Sequence, residues 1–542
     1  MLTGCNTYSG GTSSSSSAAA ASASGTGISD TVNVLGGVAV TMNQFKTQAS
    51  NDQDIFYLTM TPLLRFYNNK IEMDGAQSYD VSKDGLTYTF HLRKNLRYSD
   101  GTAITSADYE YAFQKTIGPD SGTSSTEGYF GVVGAQKYNS KKGSWDKVGF
   151  KCPDAYTITI TLQAADGSFP NLMALTPFYP ATKAFTEKWG DSLGSSPESV
   201  QCSGPYVLKQ WTVDKSMALT KNDNWWNAKN EFPTKNININ SIDSDNTKVS
   251  MFKSGEADII NSIQPTYAKL LGDSAKQYEG AVEMLLWVKQ QGTSDKATAC
   301  LKNDDFRKAL LYSLNRTTIS AAVNPGFVGT NRAVSSNYQG VSGKYIDEFP
   351  VNTCPVTGDV AKAKEYLAKA LKELGYGSVA DLPKMTYVTF ERDDMKTLGE
   401  ALVDSWKQNL GITSIKFVQY PIATAIQHFY KNDYDIFMIS TGCTVTPLDT
   451  IGSFTSSGNY SNFIVNWKSS LDKPVAAATA FPFRSKEYYT AVAKAEQTLL
   501  DEYSIDPLYN QSFTYALGKG VQGYVEPNTA FNYEFNHLTV KK

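Results

Sequence analysis

One stretch constrains this chain more than any other. It begins Asp84-Gly85-Leu86-Thr87-Tyr88-Thr89-Phe90-His91-Leu92 and continues through Ser99-Asp100-Gly101-Thr102 to Thr105-Ser106-Ala107-Asp108-Tyr109. Thr87 to Leu92 alternates polar and apolar residues, the period of a half-buried strand. Ser99-Asp100-Gly101 carries turn chemistry, because Asp accepts local backbone hydrogen bonds and Gly tolerates positive φ. Thr105 is placed to cap a helix filled by Ser106 to Lys115. Strand, turn, cap and helix in that order make a unit of an α/β chain.

The rest of the chain repeats the mixture. Tyr156 to Leu162 alternates strictly and reads as a strand, as do Val32 to Val40 and Lys384 to Phe390. Helical spacing marks Lys183 to Trp189, Asn246 to Ser254, Ala361 to Leu374, Thr397 to Leu410 and Tyr488 to Glu502, with Gly375 and Gly411 as stops. A chain of 542 residues is too long for one ordinary core, so two or three domains are expected. Its 41% hydrophobic and 19% charged residues fit a soluble globular protein. A net charge of −3 argues against a nucleic-acid binder. No apolar run approaches the ~18–20 residues that span a bilayer. With 32 Tyr and 8 Trp, there are rings enough for the cores and for a cleft lined with amphipathic side chains.

Catalytic patterns are missing. The three histidines, His91, His428 and His537, form no H-x-x-x-H pair, and His91 is expected to pack within its strand. There is no C-x-x-C or Cys/His cluster, no G-x-S-x-G elbow and no P-loop. Ser-x-x-Lys occurs at Ser144/Lys147, Ser250/Lys253 and Ser470/Lys473, in each case without the partner motifs of penicillin-binding enzymes. Glu256 and Asp258 flank a tight turn at Gly255, so their expected use is structural. No cofactor, metal site or catalytic residue is expected, which leaves a surface hydrolase as the weaker reading and a binding protein as the stronger.

The wording of the first stretch resembles the signature segment of the family 5 extracellular solute-binding proteins, the oligopeptide- and dipeptide-binding components of ABC importers. Further markers follow in family order: Gly204-Pro205-Tyr206-Val207-Leu208, Asn222-Asp223-Asn224-Trp225-Trp226, Phe252-Lys253-Ser254-Gly255-Glu256-Ala257-Asp258-Ile259 and Phe306 to Arg316. Asp433-Tyr434-Asp435-Ile436 and Asp506-Pro507-Leu508-Tyr509 come last. At the N-terminus, Leu2-Thr3-Gly4-Cys5 resembles the lipobox of bacterial lipoproteins, although the charged and apolar parts of such a signal are not in the chain. Asn6 to Gly27 is almost entirely Ser, Gly, Ala and Thr and reads as a flexible tether.

The resemblance implies an α/β fold: a bilobal periplasmic-binding-protein type II scaffold with an additional α+β domain. Residues 1–30 would be lipid anchor and tether, with Cys5 lipidated. Residues 31–65, 200–286 and 513–542 would form lobe one, 66–199 the extra domain and 287–512 lobe two. Cys300 and Cys354 then fall in one lobe and are the pair expected to bridge, if any does. The expected function is an extracytoplasmic, lipid-anchored monomer that captures oligopeptides between closing lobes and delivers them to the ABC permease. An oligosaccharide or other neutral solute is the alternative cargo. By position in the family, ligand contacts are expected at Gln53, Tyr129, Thr441, Gly442, Cys443, Thr444 and Tyr460. In peptide binders of this type a "Trp-x-Ala-Asp-Tyr-x-x-Pro" segment supplies an aspartate for the peptide's α-ammonium. Here the matching segment is Ser440 to Asp449, and Cys443 stands at the aspartate position. Either Asp449 or an acid elsewhere replaces it, or the ligand has no free amino terminus at that point.

Overall fold

The computed structural model describes residues 27–47, 50–67, 70–121, 129–229, 234–442, 447–456, 458, 460, 468–481, 484–525 and 537–541. The proposed anchor Cys5 lies outside them.

The signature segment folds as its pattern dictates. Thr87–Leu92 is a strand whose alternate residues are buried, and Ser106–Thr116 is a helix. Asp108 reaches back to accept the Thr105 N–H at 2.7 Å, satisfying a donor at the start of that helix. Strands Ala76–Val81, Thr87–Leu92, Thr157–Thr161 and Phe150–Asp154 form a four-stranded antiparallel sheet in that spatial order. Its inward residues Tyr88, Phe90, Ile158 and Ile160 pack with Tyr109 and Phe113 of the helix into a separate core. His91 is not packed inside; it lies on the solvent face, 2.9 Å from Asp80, because position 91 falls on the polar phase of the alternation.

The larger body is one eleven-stranded sheet. Its order is Ile415–Tyr420, Met385–Phe390, Ile436–Gly442, Ala275–Val288, Ile505–Leu517, Ile259–Ile260, Thr31–Leu35, Asn236–Asn240, Ser216–Lys221 and Tyr206–Thr212, with Val328–Gly329 pairing to Ile505–Leu517 from the side. Parallel pairing occurs in two places: Thr31–Leu35 beside Asn236–Asn240 and Ile259–Ile260, and Met385–Phe390 beside Ile415–Tyr420 and Ile436–Gly442. Each parallel set belongs to its own lobe, and two long antiparallel strands, Ala275–Val288 and Ile505–Leu517, run from one to the other. Between Glu279 and Glu283 their register slips: four residues of one strand run against two of the other, from Ser512 to Asn510. Gly280 lies in that bulge, and a side chain there would collide with the Phe513 ring.

Alternation along Ala275–Val288 divides lobe two into cores on opposite faces. Met284, Leu286 and Val288 join Trp406 and Leu310 on one; Leu285 and Trp287 join Phe437 and Val492 on the other. Helices Val360–Leu374 and Asp393–Leu410 pack on the first face. Each stops at a glycine in the left-handed region, Gly375 at φ 73° and Gly411 at φ 72°. Lobe one has its own core around Val32, Val34, Ile237, Ile239 and Ile259.

Three expectations shift. The first strand ends at Leu35, before Gly36 and Gly37, rather than at Val40. The helix expected from Thr397 starts at Asp393, since Asp393 and Asp394 fill its first turn, where carboxylates favour the helix N-terminus. Cys300 and Cys354 do not bridge; both are buried thiols, Cys354 beside the Arg316 guanidinium at 3.6 Å and Cys300 beside the Tyr376 hydroxyl at 4.0 Å.

Candidate functional site

In open α/β sheets the ligand crevice lies beyond the carboxyl ends of the parallel strands. Both lobes direct those ends toward the strands that join them. In lobe one, Leu35 leads into Gly36 and Ile260 into Asn261. The Asn261 side chain lies so close to Gly36 that a Cβ there would sit 2.8 Å from its Nδ2. Asn261 is 3% exposed, and its Oδ1 has no hydrogen-bond partner among the described residues. Helix Ser50–Thr59 starts here and carries Gln53, which is half-buried. The preceding loop is tied to the helix by Asp52, whose carboxylate accepts from the Val40 N–H at 2.6 Å and the Thr47 hydroxyl at 2.9 Å.

In lobe two, Thr441 and Gly442 end the strand Ile436–Gly442, opposite Glu283 and Val282 of the long strand. Cys443 and Thr444 lie outside the described residues. Tyr460 is buried, edge-on to Trp287 with ring centroids 5.0 Å apart. Burial pushes its hydroxyl up to about 12. Tyr129 is likewise buried, but in the core of the four-stranded-sheet domain, where its ring meets Phe113 at 6.0 Å and Phe178 at 5.9 Å. Of the residues singled out from sequence, Thr441 and Gly442 therefore stand at the junction and Gln53 on the lobe-one side. Tyr129 and Tyr460 are core rings.

Sequence reasoning missed the acids on the long strand. Glu283 is fully buried and pairs in the ladder with both Thr441 and Asn510. Glu279 accepts from the side-chain amide of Asn510 and from the Ser336 hydroxyl. A signal was present: Glu283 interrupts the apolar run Ala281-Val282 and Met284 to Val288, where a carboxylate has no packing role.

Among the described residues no group of three or more His, Cys, Asp or Glu could hold a metal ion, and no helix is long and apolar enough to cross a membrane. Asp258 has a structural partner, the Asn33 N–H at 2.8 Å.

Comparison with known proteins agrees with this architecture. The family model for bacterial extracellular solute-binding proteins, family 5 Middle, matches residues 70–462. The chain is 27% identical to the oligopeptide-binding protein OppA of Bacillus subtilis over 464 residues, covering 84% of this chain and 82% of that protein. It is 26% identical to a dipeptide-binding protein of Lactococcus lactis, covering 86% of each. A crystal structure of an oligopeptide ABC transporter substrate-binding domain from Bacillus anthracis superposes with a TM-score of 0.73 at 24% identity, over 95% of this chain and 99% of that one. The fold is thus the expected one, a bilobal α/β scaffold of the type II periplasmic-binding-protein kind, accompanied by the four-stranded α+β domain.

Proposed function

The chain belongs to the bacterial extracellular solute-binding proteins of family 5, and from that premise we propose that it captures oligopeptides between its lobes and hands them to the permease of an ABC importer. The observation that carries the reading is the match to peptide-binding relatives, which extends over more than four-fifths of the chain. The geometry agrees chemically. An extended peptide presents backbone donors and acceptors along its length, and the crevice offers side-chain amides and strand-end backbone from both lobes, at Asn261, Gln53, Thr441 and Gly442. Cys443 and Thr444, the next two residues of the chain, add contacts to the peptide. Tyr460 supports the site through Trp287, and Tyr129 through the extra domain's core.

The long strands Ala275–Val288 and Ile505–Leu517 serve as the hinge, the bulge at Gly280 being the point where their pairing is weakest. Lobe one comprises residues 31–65, 200–286 and 513–542, lobe two 287–512 and the extra domain 66–199. Cys5 carries lipid that holds the monomer at the outer face of the membrane, with residues 6–27 as tether. A thermal-shift screen tests the cargo. A pool of tri- to pentapeptides raises the melting temperature, since a ligand that binds only the folded state stabilises it by mass action. A malto-oligosaccharide pool leaves it unchanged. The reverse pattern overturns the peptide reading.

A further inference from the structure

We infer that a lysine-rimmed groove at the base of lobe one, at the end away from the crevice, rests on the anionic phospholipid headgroups of the membrane that anchors the protein. This inference rests on the lipid anchor proposed above and adds the face that meets the bilayer.

The groove encloses about 710 Å³. It lies at the amino ends of the lobe-one parallel strands: Asp258 precedes Ile259–Ile260, and Gly518 follows Leu517, which pairs antiparallel with Ile259. Gly518 donates its N–H to the Asp258 carbonyl at 2.8 Å and closes one wall. Lys541 donates its N–H to the Gly520 carbonyl at 2.9 Å and closes another. The crevice belongs to the carboxyl ends of the same strands, so the body of lobe one separates it from the groove.

Lys253, Lys519 and Lys541 are exposed in the lining, and among the described residues none of them is in an ion pair. Asp258, the only acid among the described lining residues, takes the Asn33 N–H at 2.8 Å. The whole chain carries a net charge of −3, so this positive excess is local. The less exposed part of the lining is apolar, with Phe252, Leu271 and Val540. A cationic rim over an apolar lining matches a phospholipid surface, whose phosphates lie outside its hydrocarbon. A soluble polyanion would use the rim alone.

The start of the fold decides which end the anchor brings down. Ser29 donates its N–H to the Val540 carbonyl at 2.6 Å, and Ile28 pairs with Lys541. The chain that leads back to Cys5 therefore leaves the fold beside the groove. Lipid at Cys5 raises the local concentration of headgroups at this end first. Each lysine near an anionic surface then adds roughly fivefold in binding. Three of them orient the anchored protein, with its crevice turned from the bilayer, but do not retain it once the lipid is lost.

Vesicle flotation of the full-length Cys5→Ser protein tests the face without the lipid. The outcome does not depend on acylation, and release of the same variant from cells reads the anchor separately. The vesicles are phosphatidylcholine, alone or in equimolar mixture with phosphatidylglycerol. At about 0.1 M ionic strength, where charges act over roughly 10 Å, the protein floats with the anionic vesicles and not with the neutral ones. Combining Lys253→Glu, Lys519→Glu and Lys541→Glu weakens that partition by roughly tenfold or more. The same reversal at Lys364, Lys372 and Lys407, exposed on lobe-two helices, changes it less than about twofold. Melting temperatures report that both variants fold. Equal flotation with the two kinds of vesicle overturns the inference. So does a smaller loss in the groove variant, or an equal loss in the lobe-two variant, which would make the effect one of net charge.

Discussion

Trp226 donates its indole N–H to Asp74 at 2.6 Å, across 152 residues of chain. The same carboxylate holds Arg65 at 2.6 Å, and Arg93 lies over the Trp226 ring at 3.7 Å from its centroid. Arg93 follows directly on the strand Thr87–Leu92 of the four-stranded sheet, and Trp226 follows the lobe-one strand Ser216–Lys221. One buried acid therefore fastens the extra domain to lobe one. Trp226→Phe keeps most of the ring and removes the donor. It should cost about 2 kcal/mol, the worth of a hydrogen bond to a charged group, read as a lower urea midpoint. An unchanged midpoint would mean the joint is held elsewhere.

Arg316 and Asp506 form the most enclosed ion pair of lobe two, with both carboxylate oxygens in reach at 2.6 and 2.7 Å. Arg316→Met strands the buried carboxylate and should destabilise by about 3–5 kcal/mol. Adding Asp506→Leu should recover a large part of that loss, because two apolar side chains need no partner. Urea denaturation of the three proteins checks it. A double variant as unstable as the single would mean that the loss lies instead with the Pro507, Leu311 and Pro355 carbonyls, to which Arg316 also donates.

Lys289 is buried over the Tyr434 ring at 4.5 Å and donates to the Asn432 carbonyl at the end of helix Ile422–Lys431. Burial lowers its ammonium to about 8, against the opposing pull of Asp435 and Asp433. The folded state thus binds this proton less well than the unfolded chain. The penalty is fully present below about pH 8 and lifts as pH rises toward the ordinary lysine value. Relative to Lys289→Met, wild-type stability should rise between pH 8 and 10. A flat difference across that window would contradict the assignment.

Cys5→Ser should release the full-length protein from the membrane fraction into the medium, because lipidation needs the thiol. A single acyl chain holds only marginally, so retention depends on more than one. Membrane retention of the serine variant would contradict the anchor.

The fold was legible where local pattern and tertiary demand coincide. Thr87 to Leu92 alternates because one face covers Tyr109 and Phe113, and helix Val360–Leu374 ends at Gly375 because the chain turns there through positive φ. The start of helix Asp393–Leu410 was harder to read, since Asp393, Asp394 and Lys396 make its first turn mostly polar although Met395 already lies on the buried face with Leu398 and Leu402. Thr441 and Gly442 were named by position in the family, and no local pattern announced the strand end they occupy. Glu279 and Asn510 lie 231 residues apart and meet only when the two long strands pair. No local spacing encodes that register. Tyr129 misled for the opposite reason: an aromatic residue reads alike in a cleft and in a core until Phe113 and Phe178 are seen around it.

The central claim is that the two lobes close on a peptide about the paired strands Ala275–Val288 and Ile505–Leu517. Small-angle X-ray scattering tests it most directly, on the protein alone and with a peptide from the thermal-shift pool at a concentration shown to saturate. A ligand that touches both lobes binds the closed state better and shifts the population toward it. The account predicts a smaller radius of gyration with peptide than without. An identical radius at saturation would contradict it.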